Sequence, residues 1–181
     1  MKAKIALLVS LLAIAPSAFA ISFTEIGDAG QSVATAQNTG GGILDSISGT
    51  FTSGNDVDLY NIYLSGGSFS ATMSSNTDPM LFLWDSAGNP LLFNDDWFGL
   101  QSYLSSTLSA GNYILGVSQF SWGYGLHHAD TWDSGYVYHG EASYTIQLQN
   151  VEGAGVPDSA ATLGLLGFAL GVVVWIRRFA K

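Results

Sequence analysis

Ser143-Tyr-Thr-Ile-Gln-Leu-Gln149 alternates polar and apolar side chains with a period of two. That spacing belongs to a strand with one dry and one wet face, so Tyr144, Ile146 and Leu148 are expected in a core and Thr145 and Gln147 in water. Tyr113, Leu115 and Val117 repeat the pattern, as do Phe69, Ala71 and Met73. Further strands are expected over Ile43 to Thr52, Val57 to Leu64, Met80 to Trp84, Leu91 to Phe93 and Tyr103 to Leu108. Gly-Gly, Ser-Ala-Gly-Asn and Ala-Gly-Asn turn signals separate them. No stretch between residues 21 and 155 keeps a helical period. The expectation is an all-β chain of about eight antiparallel strands forming a β-sandwich, each strand burying one face.

Outward from the strands, charge divides the chain into three. All five basic residues stand at the ends, Lys2 and Lys4 at one and Arg177, Arg178 and Lys181 at the other. Between Glu25 and Asp158 lie all fourteen carboxylates and no Lys or Arg. Nucleic acid is excluded as a partner, because a phosphate backbone needs cationic side chains to replace its counterions. Cysteine is absent, so the fold relies on its core without disulfide support.

The basic start Met1 to Lys4, the apolar run Ile5 to Ala15 and the small-residue site Ala18-Phe19-Ala20 read as a secretory signal peptide cleaved before Ile21. Residues 160–176 carry no charge and would reach about 26 Å as a helix, near the lower limit for one membrane span. Residues 177–181 follow as a basic cytoplasmic tail, which places the acidic body outside by the positive-inside rule. The expected organisation is thus signal peptide 1–20, β-sandwich 21–150, linker 151–159, transmembrane helix 160–176 and tail 177–181.

Immediately before the span stands Val156-Pro157-Asp158-Ser159, and after it Arg177-Arg178. A short Pro-containing motif, one membrane helix and a terminal Arg cluster resemble a PEP-CTERM sorting tail of the VPDSG-like variant, with Ala160 where that variant has glycine. The resemblance implies processing by an exosortase of a Gram-negative bacterium after export through the Sec machinery. The precursor would be anchored in the inner membrane and the body delivered to the cell surface or the extracellular matrix.

The body carries a second resemblance. Gly27 to Ala36, Ile47 to Thr50, Asp56 to Tyr60, Asp78 to Leu83, Asp85 to Asn89, Asn94 to Asp96, Gly111 to Val117 and Tyr144 to Leu148 follow in the order seen in the bacterial pre-peptidase C-terminal (PPC) domain. This implies a jelly-roll-like sandwich with no catalysis of its own and a part in secretion, adhesion or substrate binding.

An acidic body without cations repels itself, and extracellular calcium, which takes six to eight oxygen ligands, is the expected compensating ion. One candidate set joins Glu25 and Asp28 to Thr50, Asn55, Asp56 and Asp58, similar to the site of collagen-binding relatives in clostridial collagenases. A second is Asn94, Asp95 and Asp96, closing around Asp78 or Asp85. Either set is also open to the plainer reading that Asp and Asn cap turns.

Between Gln119 and Ala142 the chain departs from the PPC pattern with an aromatic insertion. Trp122, Tyr124, Trp132 and Tyr136 offer a platform for sugar rings, with Asp130 and Asp133 as acceptors; the alternative is a hairpin covering the sandwich end. Deleting Ser121 to His139 is expected to leave the sandwich folded. All three histidines lie here, but no His-Glu-x-x-His spacing, Gly-x-Ser-x-Gly elbow or cysteine nucleophile is present. The expected function is therefore an exported structural or adhesive protein of the exopolysaccharide or biofilm layer and no enzyme. A carbohydrate-binding module and a hydrolase with an unrecognised site are the alternatives.

Overall fold

The computed structural model describes residues 19–121, 127–131 and 140–154. The expected signal peptide, sorting motif, membrane span and basic tail lie outside these, apart from Phe19 and Ala20, and so do Trp122, Tyr124, Trp132, Asp133 and Tyr136. Among the described residues there is no helix, hence none long and apolar enough to cross a membrane.

Ten strands follow in order: β1 (Ile21–Thr24), β2 (Gln37–Asn38), β3 (Ile43–Phe51), β4 (Val57–Leu64), β5 (Gly67–Ser75), β6 (Pro79–Asp85), β7 (Pro90–Asn94), β8 (Tyr103–Leu108), β9 (Gly111–Gln119) and β10 (Ala142–Gly153). All eight strands expected from alternation form, with ends shifted by a few residues. The two additions are short, and they make the sheet mixed rather than purely antiparallel: β1 runs parallel to β3 and β2 parallel to β4. β2 is too short for alternation to show, whereas β1, Ile-Ser-Phe-Thr, alternates half-buried and exposed residues.

The sheet branches at β10. Tyr144 to Gln147 pair with β3 on one side and β5 on the other, and after a bulge Glu152 and Gly153 pair with β4. One arm therefore runs β1-β3-β10-β5-β8 and the other β2-β4-β9-β6-β7. Both arms contribute to one core: Ile47, Ala71, Met73, Ile146 and Leu148 from the first join Ile62, Leu81, Leu83, Leu115 and Val117 from the second.

The expectation that every strand buries one face fails in the second arm. Met80 to Trp84 are buried without interruption, and so are Ile114 to Gln119. A second apolar cluster explains this: Val57, Leu59, Met80, Phe82, Trp84 and Ile114 project to the opposite face and are covered by Val33, Ala36, Phe120 and Ala129. Phe82 stacks on Trp84 with centroids 5.2 Å apart. Gly116, paired with Leu59 and Phe82, leaves the space that the Trp84 ring fills.

Part of the insertion belongs to this cover. Ala129 is fully buried, the Trp84 indole N–H donates to the His127 carbonyl at 2.6 Å, and Ala129 N–H donates to the Gly88 carbonyl. Val33 N–H donates to an Asp130 carboxylate oxygen at 2.7 Å. Residues 127–131 clasp the β6–β7 turn against the chain before β2, so this part of the insertion packs on the frame.

Two outcomes follow for stability. Gly116→Ala drives a methyl group into the Trp84 ring and the Leu59 side chain and should cost about 1–3 kcal/mol as overpacking does, read as a lower denaturant midpoint with an unchanged slope. Deleting residues 121–139 should lower the melting temperature more, because it uncovers Phe82 and Trp84; a deletion that melts like the parent would show that 127–131 is ornamental.

Candidate functional site

Alternation along β4 sends Val57 and Leu59 to the second cluster, and Tyr60, Ile62 and Leu64 to the main core. Asp58 shares the phase of Tyr60 and is fully buried at the end of that core. A carboxylate there must find hydroxyl or amide donors, because the body contains no cation to meet it. Tyr144 supplies one: its O–H donates to Asp58 Oδ2 at 2.6 Å. The Tyr60 and Tyr144 oxygens are 2.5 Å apart, and since Tyr144 has already given its one proton to Asp58, Tyr60 donates to Tyr144. The result is a relay of Tyr60, Tyr144 and Asp58 across the two arms.

Two further carboxylates close on the exposed side. Glu25 follows β1, and its N–H extends the pairing to the Ser48 carbonyl of β3. Its side chain turns inward, accepting from Ala29 N–H at 3.0 Å and Thr50 N–H at 2.8 Å. Asp28 accepts from Gly30 N–H in the next turn. One oxygen from each of Glu25, Asp28 and Asp58 lies within 4.8 Å of the other two. Gly49, opposite Tyr144 in the β3–β10 ladder, makes the approach possible, since a Cβ there would meet the Tyr144 hydroxyl and Glu25 Oε2.

The electrostatics are those of crowded negative charge. Burial pushes the Asp58 carboxyl up to about 8 from its ordinary 3.8; the bond from Tyr144 opposes this, and the charges of Asp56 and Glu25 add to it. Burial likewise pushes both phenols above their ordinary value of 10. Asp58 Oδ1 and Asp56 Oδ1 are buried without a hydrogen-bond partner. Such a group of hard oxygens suits a proton or a calcium-like cation and does not suit a thiophilic metal.

Of the first expected set, Glu25, Asp28 and Asp58 come together, while the others are engaged differently. Thr50 takes part through its N–H, Asn55 presents its carbonyl to Gln31, and Asp56 Oδ2 accepts from the Thr52 amide and hydroxyl as a turn cap. The second set does not gather a group of three carboxylates among the described residues. Asn94 accepts from Tyr103 N–H and donates to the Asp96 carbonyl, and the Asp95 carbonyl accepts from Ser102. Asp85 sits at the far end of the β6–β7 ladder from Asn94 and accepts from Asn89 and Ala87, bonds that hold its carboxyl below the usual range. His128 closes on the Ala87 carbonyl and the Asp130 amide, and Asp130 on Val33. The residues that sequence reading missed are Tyr60, Tyr144 and Gly49. A tyrosine on a core-facing row, opposite a glycine, was the available signal.

With this geometry in place, the chain can be compared with known proteins. Residues 155–178 match the VPDSG-CTERM motif, so the chain carries a PEP-CTERM-like sorting tail, which implies export and sorting to the cell surface. None of the curated proteins compared with it matches. Its structure is similar to the pre-peptidase C-terminal domain of collagenase from Bacillus anthracis, at 14% identity and a TM-score of 0.41 over 74% of this chain and 98% of that one. It is also similar to PliG, a periplasmic inhibitor of g-type lysozyme. The Aeromonas hydrophila protein gives 16% identity and a TM-score of 0.38 over 72% of this chain and 97% of that one. The Salmonella Typhimurium protein gives 20% and 0.31 over 71% and 97%.

The raised Asp58 carboxyl sets a pH dependence. The folded state holds its proton where the unfolded state has lost it, so this contribution to stability is complete below pH about 4 and is lost as pH rises through about 8. In chelator, urea midpoints of the native chain should fall across that window, whereas Asp58→Asn, which keeps an acceptor for Tyr144, should flatten the profile and be the more stable protein on the alkaline side. Parallel profiles for the two would show that Asp58 does not carry the proton.

Proposed function

We propose that this chain is an exosortase-processed, non-catalytic protein of the Gram-negative cell surface or extracellular matrix, with a structural or adhesive role in the exopolysaccharide layer. The VPDSG-CTERM motif at residues 155–178 carries this reading. The export signal expected at 1–20 and the membrane span expected at 160–176 accord with it, since the tail must be presented at a membrane for cutting. The two arms of the mixed sheet enclose one core, a rigid frame for presentation outside the cell.

Non-catalytic use fits what the titratable groups do. Asp56 and Asp85 cap turns, and His128 and Asp130 hold the insertion to the frame. Glu25, Asp28 and Asp58 are the residues that would hold calcium, with Asp58 losing its proton on binding and Tyr60 and Tyr144 fixing its orientation. The ion's chemistry would be structural: it neutralises three converging carboxylates and ties the start of the body to β4.

Two experiments test the proposal. Pro157→Ala combined with Asp158→Ala should leave uncut precursor in the inner membrane, while the parent should end near Ser159; a mature C-terminus at Lys181 in cells with active exosortase overturns the sorting reading. Calcium that binds the folded state alone should stabilise the full chain by about 2.7 kcal/mol at one hundred times its dissociation constant. Magnesium should do less, because it keeps its water and demands octahedral geometry. Asp28→Asn with Asp58→Asn should abolish the response, and identical melting of the parent in calcium and in chelator would remove calcium from the proposal.

A further inference from the structure

The outer face of β5, β8 and the end of β10 has a composition that folding does not require. Gln149, Ser70 and Ser105 lie side by side across the three strands, and Ser68 faces Thr107 in the next row. None of these side chains is charged or apolar, and they floor a groove of about 370 Å³, within the usual range for ligand sites. Among the described residues β8 pairs with β5 alone, so it is an edge of the described sheet. Soluble proteins normally protect such an edge with Lys, Glu or Pro, but β8 reads Tyr-Leu-Ser-Ser-Thr-Leu.

Each end of the groove is structurally fixed. At one end Tyr103 lines it and packs against Trp97 with centroids 4.9 Å apart, and Trp97 is 68% exposed. Trp97 is presented by a hydrogen-bonded turn, in which its N–H donates to the Gln101 carbonyl and Gln101 in turn is tied to Ser75 and Thr77. At the other end stands Asn150, which among the described residues is the one non-glycine with a positive φ, 58°. The β10 bulge creates that conformation, and the Asn150 amide donates to both the carbonyl and hydroxyl of Ser68.

We propose that this face binds an uncharged hexose polysaccharide. The Trp97 and Tyr103 rings would stack on the apolar C–H face of a pyranose, and the Ser, Thr and amide rows would exchange hydrogen bonds with hydroxyls of the adjoining units. The groove lining carries neither cation nor carboxylate, which disfavours an ionic ligand. Its scarcity of apolar side chains away from the aromatic end disfavours a protein partner, whose interface core excludes water. The proposal rests on the reading of the chain as an exported surface protein and names a binding class for it, on a face separate from residues 127–131.

The test is calorimetric titration of the full chain, in a detergent without a sugar headgroup, with uncharged gluco-, manno- and galacto-hexaoses of α and β linkage. At least one should bind saturably, and Trp97→Ala and Ser105→Asp should each weaken it tenfold or more while melting as the parent does. Trp122→Ala with Trp132→Ala should bind as the parent. Absence of binding across the set, unchanged binding in Trp97→Ala and Ser105→Asp, or equal binding of an acidic oligogalacturonate overturns the proposal, and loss confined to the insertion variants moves the site there. None of these outcomes bears on tail processing, so failure here and failure of the sorting reading are told apart.

Discussion

A carboxylate buried in a chain segment that holds no lysine or arginine can be met by a proton, by neutral donors or by an ion from outside. That constraint governs the body of this protein, whose fourteen acids lie between Glu25 and Asp158 in a stretch without Lys or Arg. Some are met locally: Asp56 and Asp85 accept from amides and hydroxyls of their own turns. Asp58 cannot be, because alternation in β4 directs it inward. Tyr144 from β10 and Tyr60 from β4 therefore converge on it, and the same convergence joins the two arms at a polar point in an otherwise apolar core.

The arms themselves differ in kind. The first has one dry face and one wet face, and its outer rows are hydroxyls and amides. The second is dry on both faces along β6 and over parts of β4 and β9, because residues 127–131 and the chain before β2 lie over Phe82, Trp84 and Ile114. A fully buried side chain such as Phe82 adds about 1.5–3 kcal/mol relative to exposure, so this cover contributes in proportion to the aromatic area it hides. A body without Cys, Lys or Arg thus gains a second apolar layer.

How far this was readable in the residues depends on the range of the interaction. Period-two alternation is local, and it located β3 to β10 within a few residues. It could not locate β2, a strand by virtue of β4, and β1 was passed over although Ile21 to Thr24 alternate. It also misjudged β6 and β9, where an unbroken apolar run meant two covered faces. For the site, Glu25, Asp28 and Asp58 came from resemblance, and the structure brings them within 4.8 Å of one another. Tyr144 was counted as core because its ring does pack there; that its hydroxyl reaches Asp58 depends on Gly49, ninety-five positions away in the chain, having no side chain. The insertion was read by its aromatic content, whereas its described residues matter through Ala129, too small to attract notice.

The branching of the sheet at its last strand bears on the order of events during passage through a membrane pore. A chain threading N-terminus first delivers β1 to β9 before β10, yet β10 is the strand to which β3, β4 and β5 all bond. Until it emerges, the two halves have no seam, Asp58 has no Tyr144, and the inner edges of β3 and β5 are open. Non-local closure of this kind is slow and leaves pairing edges exposed meanwhile. A body that crossed such a pore unfolded would stay threadable until β10, twelve residues long, arrived to close it.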